Sequence, residues 1–146
     1  MLDHFRLLSR VLVACAALCV APALAYDDII GVRYVRCSDG DSCTVTIDHL
    51  PDVFGDRITV RLRGIDAPEK QGRCPRELGL AEQARVKLNS LLQSATVLAL
   101  TDVHRDKYFR LNATIIADGL DVGALLLEQG YAVPYTGKGP RHNWCR

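Results

Sequence analysis

The chain has 146 residues, with 18 lysines and arginines against 17 aspartates and glutamates, a formal net charge of +1. That length holds one domain with a modest core, and no internal repeat is visible. The near-neutral balance excludes the broad basic field on which tight, stoichiometric duplex binders rely, whereas an enzyme needs positive charge only where its anion sits.

The first 25 residues read as a secretion signal. Arg6 and Arg10 form a positive start, Val11 to Val20 an apolar run, and Ala23-Leu24-Ala25 a small-residue cleavage site. This predicts export to the periplasm or medium, with the mature domain occupying residues 26–146. The apolar run is too short to span a bilayer comfortably, so no stable membrane span is expected. Leu12-Val13-Ala14-Cys15 has the form of a lipoprotein box but follows Arg10 too closely for a proper apolar region. Removing Arg6, Arg10 and Asp3 leaves 16 basic against 16 acidic residues.

Past that segment, Gly31 to Cys37 and Ser42 to Ile47 read as strands joined by an acidic turn. Pro51 to Asp56 is a turn-rich connection. Arg57 to Ile65 is the next strand: Ile58, Val60 and Leu62 fall on one face, and Arg57, Thr59, Arg61 and Arg63 on the other. Arg73 to Leu80 starts irregularly and runs into an amphipathic helix to about Leu92, with Ala81, Ala84, Leu88 and Leu91 on one face. Val97 to Leu100 and Leu111 to Ala117 pair as strands across the 102–110 loop. Asp118-Gly119 makes a turn, Asp121 caps a short helix through Gln129, and Gly130 stops it. Five short strands with a helix between the third and fourth permit a small closed barrel.

Of six cysteines, Cys37, Cys43, Cys74 and Cys145 remain after the signal, an even number that in an exported domain reads as disulfides with three possible pairings. The turn between Cys37 and Cys43 can bring their backbones within bridging range, and Cys74 would then join Cys145. A zinc site is the rival reading. It is disfavoured because there is no C-x-x-C and His49, His104 and His142 are scattered.

Three segments carry the chemistry: Asp39-Gly40-Asp41, then Arg61-Leu62-Arg63-Gly64-Ile65-Asp66-Ala67-Pro68-Glu69, then Arg105-Asp106-Lys107-Tyr108-Phe109-Arg110. Taken singly they are an ordinary Asp-Gly turn, a strand with a solvated charged face, and a charged loop. Together, carboxylates beside several arginines suit a hard divalent cation and a phosphodiester held in one site. Asp39 and Asp41, two apart in an extended segment, share a face and can approach one cation.

In this order and spacing, from about Val35 to Tyr135, the segments resemble the staphylococcal (micrococcal) nuclease family, the thermonucleases. The resemblance selects an α+β, mainly β fold: a five-stranded barrel of the oligonucleotide/oligosaccharide-binding type, with one helix after the third strand and a second short helix near the C-terminus. It implies that Asp41, Asp66 and the backbone carbonyl of Ala67 ligate calcium, with Asp39 just outside them. Glu69 would orient or deprotonate the attacking water, and Arg61 and Arg110 would clamp the phosphate. Lys107 and Tyr108 would contact a terminal phosphate and stack on a nucleotide. Tyr135 is either a base-stacking residue or a rim tyrosine, and Arg63 has no family role.

Two departures stand out. Phe109 replaces the glycine usual in D-K-Y-G-R; were that glycine at positive φ, phenylalanine would be strained there, and otherwise the loop simply differs. The chain also ends in Pro140 to Arg146 where the family's type member carries a third helix. The resemblance implies a monomeric calcium-dependent endonuclease that hydrolyses DNA and RNA, single-stranded or denatured chains favoured, to 3′-phosphate and 5′-hydroxyl ends. The alternative is a non-catalytic barrel that grips single-stranded nucleic acid.

Overall fold

A computed structural model describes residues 28–108 and 110–146; the expected signal segment 1–25 and Phe109 lie outside the described residues. In chain order the elements are β1 (Val32–Cys37), β2 (Ser42–Ile47), α1 (Asp52–Gly55), β3 (Ile58–Leu62), β4 (Ile65–Asp66) and α2 (Pro75–Ser94). Then come β5 (Leu98–Arg105), β6 (Leu111–Ala117), β7 (Leu120–Asp121), α3 (Val122–Glu128) and β8 (Val133–Pro134).

Five strands form one curled sheet in the order β1-β2-β3-β6-β5, with the short β7 added to β6. All pairings are antiparallel except β3 with β6, which the long crossover through α2 makes parallel. The sheet curls until Ile29, ahead of β1, exchanges two backbone hydrogen bonds of 2.9 Å with Leu100 on β5. This is the α+β, mainly β barrel of the oligonucleotide/oligosaccharide-binding type. Its core is filled by the inward positions of the strands, Val45, Ile47, Val60, Leu100 and Ile115 among them, and closed by Leu88 and Leu92 of α2 and Leu126 of α3. Full burial of each such aliphatic side chain contributes roughly 2 kcal/mol.

The structure revises several element boundaries. The 51–56 connection contains a single helical turn, α1, entered from Pro51. Arg57 does not open the third strand: it takes a positive φ of 52° and the strand begins at Ile58. That strand also stops at Leu62, because Gly64 turns at φ 79° and redirects Ile65-Asp66 to pair with Val133-Pro134. The alternation of Ile58, Val60 and Leu62 against Thr59, Arg61 and Arg63 survives between those limits. Downstream, β5 runs on to Arg105 through an irregularity between Thr101 and His104, where Asp102 takes a positive φ of 50°.

α2 begins where sequence and chemistry agree. Cys74 is its N-cap, Pro75 its first residue, and Glu77 lies in its first turn. Asp121 caps α3 by accepting the Ala124 amide at 3.0 Å. Among the described residues no helix is long and apolar enough to cross a membrane.

Candidate active site

The acidic turn is built by close packing. A Cβ on Gly40 would lie 2.6 Å from the Ala84 methyl of α2 and 2.8 Å from that of Ala67, so only glycine lets the turn sit between helix and loop. Cys37 and Cys43 are cross-strand register partners joined by a disulfide, which closes the turn from its strand side. The Asp41 carbonyl accepts the Leu62 amide at 2.8 Å, tying the turn to the end of β3. Ser42 stands in register with Arg61, and this puts the arginine beside Asp41.

Asp41 is buried, and both its oxygens are engaged. Oδ1 accepts from Arg61 and, at 3.1 Å, from the Ser42 hydroxyl; Oδ2 accepts the Ala67 amide at 3.1 Å. Burial pushes its carboxyl up to about 6, against the downward pull of Arg61 and with a further upward push from Asp39. Asp39 accepts the Asp41 amide at 3.3 Å and remains at the edge of the turn. The second nitrogen of the Arg61 fork lies 3.8 Å from Asp66 Oδ1, so one guanidinium spans both aspartates. Asp66 is 1% exposed, and its Oδ2 is buried without a hydrogen-bond partner.

These residues fit a hard divalent cation. The available donors are all oxygen, two carboxylates converge on a shared counter-charge, and an orphaned buried oxygen belongs to one of them. Cys74, Glu77 and Cys145 also place ligating atoms within 4.8 Å of one another, but the two sulfurs are bonded to each other and offer no thiolate.

Glu69 leaves the end of β4 on a loop fastened by Glu77. The buried Glu77 carboxylate accepts the Arg73 amide at 2.8 Å and the Glu69 amide at 3.4 Å. The Glu69 side chain is half-exposed and takes a hydrogen bond from Arg141. Arg110 leads into β6 two residues before Asn112, the register partner of Arg61. Its guanidinium is held by Asp106, Nε donating at 2.8 Å, and lies 5.4 Å from the centre of the Tyr108 ring. Asp106 is held below its usual range: burial alone would raise it, but the amides of Tyr108 and Arg110 and the Arg110 guanidinium outweigh that.

Lys107 and Tyr108 are exposed, with the ammonium 5.0 Å from the ring centre. Tyr135 is partly buried; its amide donates to the Gly64 carbonyl and its hydroxyl to the Gly139 carbonyl at 3.1 Å. Arg63 pairs on the surface with Asp102 at 3.2 Å. The structure thus gathers Asp39, Asp41, Arg61, Asp66, Ala67 and Glu69, and pairs Arg110 with Asp106.

Two residues of this neighbourhood escape the sequence reading. Glu77 had a signal, since an N-cap followed three residues later by glutamate is the spacing of a capping box. Arg141 had only an indirect one, Cys145 four residues on. Its Nε donates to Asp66 Oδ1 at 2.6 Å, its Nη2 to the Ala67 carbonyl at 3.2 Å, and its Nη1 to Glu69. Burial would lower its pKa, but Glu69 and Asp66 raise it, so it is a fixed cation. The disulfide Cys74–Cys145 brings the tail there.

A curled five-stranded barrel with arginines and aspartates packed at a strand end defines a nuclease-type or nucleic-acid-binding domain. Residues 59–143 match the family model described as staphylococcal nuclease homologue, and the chain belongs to that family. No curated protein matches the chain.

Proposed function

We infer that the chain is an exported, calcium-dependent endonuclease that hydrolyses DNA and RNA with little sequence preference and acts as a monomer. The observation that carries this reading is the single Arg61 guanidinium shared by two buried aspartates, Asp41 and Asp66, beside the Ala67 carbonyl. Asp41, Asp66 and that carbonyl would hold calcium, with Asp39 adding negative charge from just outside. When bound, the ion supplies Lewis-acid stabilisation of the phosphate charge.

The chain's own residues supply the rest. Glu69, on its Glu77-fastened loop, orients a water and accepts its proton as the oxygen attacks phosphorus. A carboxylate is a weak base at neutral pH, so positioning contributes as much as proton removal. Arg61 and Arg110 offset the charge that builds on the nonbridging oxygens. The bond from phosphorus to the 5′ oxygen breaks, and that oxygen takes up a proton from solvent water, which leaves a 3′-phosphate and a 5′-hydroxyl. Lys107 and Tyr108 lie on the exposed loop where a neighbouring phosphate and base would rest, and Tyr135 is a further candidate for stacking.

One observation favours the second reading, a non-catalytic single-strand-binding barrel: Arg141 already pairs with Glu69 and Asp66. A zymogram of the mature oxidised protein on denatured DNA and on RNA decides between them. Clearing with calcium and none with a chelator supports the enzyme; binding without clearing supports the module.

A further inference from the structure

Arg141 touches three acceptors, and each has a place in the reading above: Asp66 as a ligand carboxylate, the Ala67 carbonyl as a ligand oxygen, and Glu69 as the group that orients water. A guanidinium fork presents several donors in one plane, so a single side chain can satisfy all three at once. Asp66 is otherwise a buried carboxylate with only a share of Arg61, and an unpaired buried charge is costly.

We propose that Arg141 is a positioning residue that serves as the site's own counter-ion. It holds these oxygens in place without metal, yields them when calcium binds, and thereby sets the calcium concentration at which the site loads. The proposal rests on the calcium reading and adds to it a built-in competitor. The two cations share acceptors, so occupancy by one lowers the affinity for the other.

The surroundings suit a side chain that comes and goes. Arg141 is 39% exposed at its side chain, unlike the acceptors Asp66 and Ala67. Beside it opens a cavity of about 570 Å³, bounded by Asp66, Glu69, Arg73, His142 and Trp144, into which the displaced fork can swing. The backbone does not go with it. Cys145 is bonded to Cys74 at the head of α2, Trp144 is buried, and His142 packs edge-on against Trp144 at 4.5 Å. A competitor tethered so closely acts at high effective concentration.

A purely structural tie predicts the opposite sign. Removing a tie loosens Asp66 and the 67–69 loop and weakens calcium binding; removing a competitor strengthens it. Calorimetric calcium titrations of the mature oxidised chain should therefore show Arg141→Gln binding at least about tenfold more tightly than wild type, with Arg141→Lys, which keeps the charge but not the fork, in between. In wild type, the Nε–H resonance of Arg141 should move towards that of a solvated guanidinium as calcium is added. This second measurement needs no folded variant. Equal or weaker binding by Arg141→Gln, or an Nε–H resonance that stays in place while calcium binds, overturns the proposal and leaves the calcium reading standing. Absence of calcium binding in every chain overturns both.

Discussion

Arg61 on β3 donates to the buried carboxylate of Asp41, twenty residues upstream, because the register of β2 with β3 places Ser42 opposite the arginine. The pair is one side of a triangle completed by Asp66, so one guanidinium neutralises both aspartates. Arg61→Ala should therefore cost stability, by about 3 kcal/mol in chelator, the scale for stripping a partner from a buried charge. Arg61→Ala with Asp41→Asn should recover part of that loss while remaining inactive. Urea melts of the two variants measure this; no recovery in the double variant would mean that the arginine stabilises through packing alone.

Glu69→Gln and Arg110→Ala should each lower turnover by about a hundredfold, the scale for losing a water-positioning base or a transition-state charge partner. Both side chains are partly exposed, so both variants should stay folded, with Arg110→Ala losing some stability along with its pairing to Asp106. Steady-state rates on denatured DNA test the pair. A loss below threefold at Arg110 would show that Asp106 keeps the guanidinium away from the phosphate throughout turnover.

The Asp106–Arg110 clamp should respond to pH with a definite sign. Burial would raise Asp106, but amide and guanidinium donors bring it below its ordinary value. A depressed carboxylate contributes stability above its unfolded pKa and loses it as pH falls through the lower folded pKa. Asp106→Ala should consequently destabilise the protein at neutral pH, and the gap from wild type should narrow only in strongly acid solution. Thermal melts from neutral to acid pH check the trend; a gap that grows on acidification would contradict it.

How far the sequence reached depends on the range of each interaction. The strands 32–37, 42–47 and 111–117, the capped helix at Asp121 and the acidic turn were legible because alternation, caps and Asp-Gly signals act within a few residues. The break after Leu62 was less so: nothing local shows that Gly64 turns Ile65-Asp66 towards residues nearly seventy positions later. The one-turn α1 was hidden in a stretch whose proline and glycine read equally as a loop. Arg141 was out of reach for the same reason as Gly64's turn. Its partners lie 72 to 75 residues upstream, and only the cysteine arithmetic hinted that the tail returned to this side of the barrel.

The two disulfides should separate in their effects. Cys37–Cys43 closes six residues over the acidic turn, while Cys74–Cys145 closes 71 and fastens the tail to the head of α2. In the chain-entropy model the long closure contributes roughly 4 kcal/mol and the short one about 2 kcal/mol. Replacing Cys74 and Cys145 by serine should thus lower the melting temperature more than replacing Cys37 and Cys43. Calcium affinity should follow the reverse order. The short bridge holds the turn that aims Asp41, so its loss should weaken binding. The long bridge holds Arg141 against Asp66, so its loss should leave binding unchanged or tighter. Differential scanning calorimetry and calcium titration of the two double-serine variants, after non-reducing peptide mapping of the parent, measure both orders. If the long-bridge variant bound calcium more weakly than the short-bridge variant, the tail would be a support of the metal site and the assignment of the two bridges would have to be exchanged.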